Sequence, residues 1–249
     1  MDISPVEPVI DAAPPAPREP FWGYADLLLV MGIIVASIVL IALAGVVLTL
    51  QYPGLRNDPT PLLLPAQVVF YGFIYLALLF TLRARYGKPV FPSLGWRRTR
   101  FNLAIAALGG PVLAFVISGL AALLRTPQVP SPLDRFLKSP VDLAVVGVLA
   151  VTLAPLFEEL FFRGFLQPLL SRTFGVLAGI LITALVFGLM HAPEYAWAWQ
   201  YVVAVSVAGA VFGWVRVRTN SIIPSTIMHG CYNLVFVIAL VFTKYVKHS

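Results

Sequence analysis

The sequence predicts an all-α fold, a polytopic bundle of about seven membrane helices, on three observations. Apolar residues make up 59% of the 249 and charged residues only 11%, against roughly 45–50% and 25% in soluble domains. Mean hydropathy is +0.90. The apolar residues also fall in runs of about twenty, the length an α-helix needs to cross about 30 Å of hydrocarbon. A chain so poor in charge cannot cover a globule with polar surface, so lipid must cover it. This excludes an ordinary soluble enzyme, a disulfide-stapled secreted domain and a disordered protein. The one cysteine leaves no intrachain disulfide.

The first element, residues 1–22, reads as a disordered, Pro-rich acidic tail. Six prolines stand in its first twenty residues with Asp2, Glu7, Asp11 and Glu19, and Arg18 is its one base. Without a basic n-region it is not a signal peptide. It reads as a solvated linker. The spans follow in order: Leu27–Leu50, Leu62–Leu82, Phe101–Leu124, Val141–Phe162, Phe174–His191, Trp197–Val215 and Ile222–Phe242. An eighth arises only if a long segment breaks at Pro155 or Pro168. Residues 23–140 thus form an N-terminal group of helices and 141–243 a C-terminal group carrying the chemistry. A short basic tail, 244–249, closes the chain.

Loop charge sets an expected orientation. With spans alternating sides, one face holds Arg18, Arg83, Arg85, Lys88, Arg97, Arg98, Arg100, Arg163, Arg172, Arg216 and Arg218, 11 of the 17 bases. The positive-inside rule places that face, and with it the N-terminus, in the cytoplasm. The formal net charge of +6 is then topology and gives no reason to expect a nucleic-acid partner.

The informative residues are those that hydrocarbon should have excluded. Asp26, Asp142 and Glu194 sit at span ends, and six further acids lie in the tail or loops. Glu158 and Glu159 alone fall inside an apolar stretch, Leu153–Arg163. An ionised acid near the bilayer centre costs about 2.5–3.5 kcal/mol even on lenient insertion scales, so two adjacent ones require a reason. Glu159 and Arg163 are i,i+4 and can pair on one face. Glu158, turned about 100° away, stays free of that clamp and is the better general base. The plainer alternative is a structural cluster in which both acids simply pair with Arg163. Gln167 and Ser171 continue the same row, which predicts a fourth helix that runs on to about Ser171.

His191 closes the fifth span, and His229 opens the last with Asn233 one turn later on the same face. A histidine at a span end is often interfacial, and an Asn in a membrane helix is often interhelical glue. Together with the acids, however, they permit chemistry. A carboxylate hydrogen-bonded to histidine can activate water, while a second histidine and an amide can stabilise an oxyanion. Alternatively, Glu158, His191 and His229 can hold a divalent metal such as zinc. Cys231 lies between His229 and Asn233, faces away from their shared side, and reads as packing.

Three motifs now stand in order: Glu158–Glu159–x–x–x–Arg163, Phe187–x–x–x–His191 and His229–x–x–x–Asn233. This pattern resembles the CPBP intramembrane proteases, which include CAAX prenyl proteases of type II and the bacterial Abi, or bacteriocin-immunity, proteins. The resemblance covers residues 141–243. It implies Glu158 as the base activating water, His191 as its partner, His229 and Asn233 as the oxyanion site, and Glu159 with Arg163 as an orienting pair. It also implies a membrane-associated or lipidated peptide or protein as substrate, no required cofactor, and residence in a prokaryotic cell membrane. The family was first described as metalloproteases, and a glutamate-dependent, metal-free mechanism is the preferred reading.

Two other functions remain open from sequence: a non-catalytic immunity or scaffold protein, and a transporter or proton relay. The second lacks the repeat symmetry and paired broken helices of transporters. One geometric demand is explicit. If the fifth span starts near Phe174, His191 lies about 25 Å along its helix, and His229 only about 10–12 Å along the last. A shared site therefore needs Glu158 within about 10 Å of at least one of them.

Overall fold

The computed structural model describes residues 19–129 and 140–245. Most of the expected tail lies outside the described residues, as do the last four residues of the chain. Seven apolar helices carry the fold: α1 Tyr24–Gln51, α2 Thr60–Arg85, α3 Leu103–Leu123, α4 Val141–Phe174, α5 Val176–Met190, α6 Trp199–Thr219 and α7 Ile222–Tyr245. Six of them are long and apolar enough to cross a bilayer. The exception is α5, expected to reach from Phe174 to His191. It has 15 residues, or about 22 Å at 1.5 Å per residue, short of the hydrocarbon thickness. Gly175, at φ 88°, ends α4 and starts α5; Pro193, two residues past His191, closes the far end in a 3₁₀ turn.

Helix α4 is the long fourth helix anticipated from its polar row, and its 34 residues run without an eighth crossing. It is nevertheless irregular. Pro155 has no N–H for the Val151 carbonyl, and the helix bends at Thr152. The bend faces α7, where the Asn233 side chain donates to the Ala150 carbonyl at 2.8 Å. Gly230 lies so close that a Cβ there would sit 2.6 Å from the Val151 oxygen. About two turns later, Leu160–Leu166 is wound as a π-helix, a form found in short stretches and often at functional sites.

Among the described residues two apolar clusters form the interior. One joins α1, α2 and α4 through Trp22, Leu78, Leu82, Leu160, Phe165 and Leu169. The other joins α3, α6 and α7 through Ala106, Leu113, Ala208, Phe212 and Met228. Large apolar side chains such as Leu108, Phe115 and Leu177, each 70% exposed, cover the outside. Only a lipid solvent makes such a surface stable, and the chain is a multi-pass membrane protein.

One end of the bundle is firmly tied. Tyr24 donates to Thr173 at 2.7 Å, Arg172 to the Pro20 carbonyl, and Ser221 to the Arg97 carbonyl at 2.7 Å. The start of α1, the 86–102 loop, the α4–α5 turn and the α6–α7 turn therefore meet there, bringing most of the basic residues together. Asp26 is 2% exposed at the start of α1. It accepts from the Gly23 amide at 2.9 Å and from Tyr86 at 2.6 Å, and pairs with Arg85 at 3.0 Å.

Candidate active site

The site forms where α4 passes between α2, α6 and α7. Glu159 is fully buried and pairs with Arg163 at 3.0 Å, the i,i+4 clamp expected from spacing. Arg163, also fully buried, donates a second bond to the Gly209 carbonyl at 2.9 Å. Its guanidinium lies 4.5 Å from the centroid of the Phe187 ring and 5.4 Å from that of Phe212. Cation–π contacts of this kind offset part of its desolvation. Gly209 makes the approach feasible, since a Cβ there would lie 3.1 Å from the Arg163 Nη2.

His229 stands between the two glutamates. Its Nδ1 is 3.3 Å from Glu159 Oε1 and its Nε2 is 3.6 Å from Glu158 Oε2. The imidazole is 3% exposed and stacks on Phe212 with centroids 4.6 Å apart. Glu158 is different in kind: its side chain retains 19% exposure, and Tyr71 of α2 donates to its other oxygen at 3.5 Å. One carboxylate is thus locked and dry, and its neighbour is held loosely at an accessible edge. The distance to His229 alone meets the demand that Glu158 share a site with a histidine.

Residues 140–235 match the Rce1-like family model, described as type II CAAX prenyl endopeptidase Rce1-like. This segment is Rce1-like. No curated protein and no solved structure matches the chain.

Within the Rce1-like segment the remaining motif residues are placed less tightly. His191 makes no hydrogen bond or ion pair with Glu158 among the described residues; its Nδ1 meets the Phe187 carbonyl at 2.8 Å. A carbonyl only accepts, so Nδ1 is the donor in this contact, which leaves Nε2 as the ring nitrogen not engaged by it. Phe187 links the two histidines, its ring centroid 4.6 Å from that of His191 and 5.8 Å from that of His229. Asn233 commits one amide hydrogen to Ala150, as described above, rather than lying free beside His229. Cys231 packs on α3, where its Cβ would lie 2.7 Å from a Cβ on Gly110.

Two neighbours of Glu158 were not read as site residues from sequence. Tyr71 carried a faint signal, as it sits one turn after Gln67 in an apolar run. Glu194 was assigned only to a span end. It lies in the 3₁₀ turn Ala192–Tyr195, and its carboxyl is pushed above the usual range by burial, opposed by His191 and reinforced by the charge of Glu158.

Among the described residues no three His, Cys, Asp or Glu side chains converge as a ligand group. Glu158, His191 and His229 in this arrangement therefore do not fit the three-ligand catalytic zinc pattern.

Proposed function

We propose that the protein is an intramembrane endopeptidase that hydrolyses a peptide bond of a membrane-associated or lipidated peptide through water activated by Glu158. The observation that carries this reading is the bridging of Glu158 and Glu159 by His229, with only Glu158 open to a reactant. The Rce1-like match supports the same activity.

Glu158 takes a proton from water, and the hydroxide adds to the scissile carbonyl carbon. The tetrahedral oxyanion accepts from a His229 N–H and from the amide hydrogen that Asn233 has left. Collapse expels the amine, to which Glu158 returns the proton. His191 holds the attacking water from its second side through Nε2. Glu159 and Arg163 orient His229 and do not exchange protons with substrate. The sequence uses no metal and needs no cofactor.

The first probe is a prenylated C-terminal peptide presented in vesicles with the purified protein, alongside the same peptide without lipid. We expect wild-type cleavage of the lipidated peptide that persists with EDTA, and a loss of about 10²–10³-fold in kcat for His229→Ala. Failure of the wild type on both peptides, or undiminished cleavage by the variant, would contradict the reading.

A further inference from the structure

A second polar site lies behind the catalytic pair. A cavity of about 190 Å³ opens between the end of α4, the start of α5 and the end of α6, lined by Arg163, Gln167, Ser171, Val176, Arg216 and Asn220 among others. It is where the polar row of α4 ends up, and the proposed reaction leaves Gln167 and Ser171 without a role. Leaving aside Arg163 Nη1, which is ion-paired with Glu159, four buried atoms of its lining residues have no hydrogen-bond partner among the described residues: Arg163 Nε, Gln167 Oε1, Ser171 Oγ and Arg216 Nε. Gln167 is 2% exposed, and its orientation is fixed because its Nε2 donates to the Gly213 carbonyl at 3.0 Å. The amide oxygen is therefore the unpartnered atom.

Charge indicates what these atoms want. Arg163 is neutralised by Glu159; among the described residues no carboxylate lies in ion-pair contact with Arg216, which feels the charges of Glu19 and Glu159 only from further off. Its Nη1 donates to the neutral Asn220 amide at 3.2 Å. Its Nη2 presses on Gly95, where a Cβ would lie 2.6 Å away. Nε is left for a ligand. A half-buried guanidinium with no carboxylate in contact favours an anion, and guanidinium N–H groups match phosphate geometry. Gln167 adds an acceptor, which a fully ionised anion would not satisfy. The set of three donors and one acceptor suits a phosphate that carries, or adjoins, a hydroxyl group.

We propose that this cavity binds such a phosphate group, at the basic end of the bundle where Arg97, Arg98, Arg100 and Arg218 also gather. The chemistry is shared by a hydroxylated acidic lipid headgroup and by free phosphate. This inference is independent of the peptidase reading, because its test is binding.

The thermal midpoint of the purified protein in neutral detergent is measured with inorganic phosphate at constant ionic strength, and with dispersed phosphatidylglycerol against phosphatidylcholine. The expected rise is about 3–8 °C at saturating ligand. A response to phosphatidylglycerol alone identifies a lipid site, and a response to both identifies the phosphate itself. Arg216→Gln should abolish the rise. Val217→Glu gives a second reading with Arg216 intact, since Val217 lines the cavity yet is exposed, and its new carboxylate should occupy the arginine. No rise in the wild type with either ligand, or an equal rise in both variants, overturns the proposal.

Discussion

Arg163 is the most constrained side chain of the site, with every charged contact made inside the protein. Breaking a buried ion pair from one side leaves the other charge stranded, which costs about 3–5 kcal/mol. Arg163→Met should therefore lower the unfolding free energy in detergent by that amount, measured by denaturant titration. A loss below about 1 kcal/mol would mean that water reaches Glu159. Glu194 permits a prediction of opposite kind. Its carboxyl titrates above the usual range when folded, so its contribution to stability is fully present at acid pH and is lost as pH rises through the folded value. Glu194→Gln should thus stabilise the protein at pH 7 relative to wild type and lose that advantage near pH 4, as read from thermal midpoints. The sequence made Glu158, Glu159, Arg163 and His229 legible because polar groups in apolar runs are conspicuous. It hid Glu194, whose approach depends on a tight loop with Ala196 and Trp197 at φ 52° and 61°, a conformation that no residue pattern here announces.

Helix α4 shows both what periodicity reveals and what it misses. The row Glu159–Arg163–Gln167–Ser171 correctly implied a helix extending well past the apolar span. The same spacing gave no hint of the π-helical Leu160–Leu166 segment or of the bend at Thr152, because both arise from how α4 packs on its neighbours. Gly164 is the tightest of these contacts: a Cβ there would lie 2.8 Å from the Leu94 carbonyl oxygen and 2.9 Å from the Leu94 Cβ. Gly164→Ala must push the 86–102 loop off α4, at a cost of about 1–3 kcal/mol. Limited proteolysis should then cut that loop faster than in the wild type. Unchanged protection would show that the loop yields without strain. The shortness of α5 was equally hidden, since the apolar run continues into the turn that holds His191. His191 consequently stays near the far end of α5 and meets His229 through Phe187 rather than directly.

Across the whole molecule, two apolar clusters meet along α4, and the carboxylates sit at their seam. The arrangement explains how a bundle coated in exposed leucines and phenylalanines tolerates four ionisable groups: Glu159 pairs with Arg163 and meets His229, and Glu158 takes the accessible edge. Composition alone sufficed for the membrane bundle, because scarcity of charge leaves no other solvent for the surface. The pairing of the helices was not readable, since nearly featureless apolar runs specify burial without specifying partners. The central claim is that Glu158 is the group that activates water. It is tested most directly by the single-turnover cleavage rate of Glu158→Gln, compared with wild type at matched thermal midpoint on a lipidated peptide in vesicles. The isosteric amide keeps shape and hydrogen bonding but accepts no proton, so the rate should fall by about 10²–10⁴-fold with substrate binding unchanged. A rate within a few-fold of wild type would contradict the account.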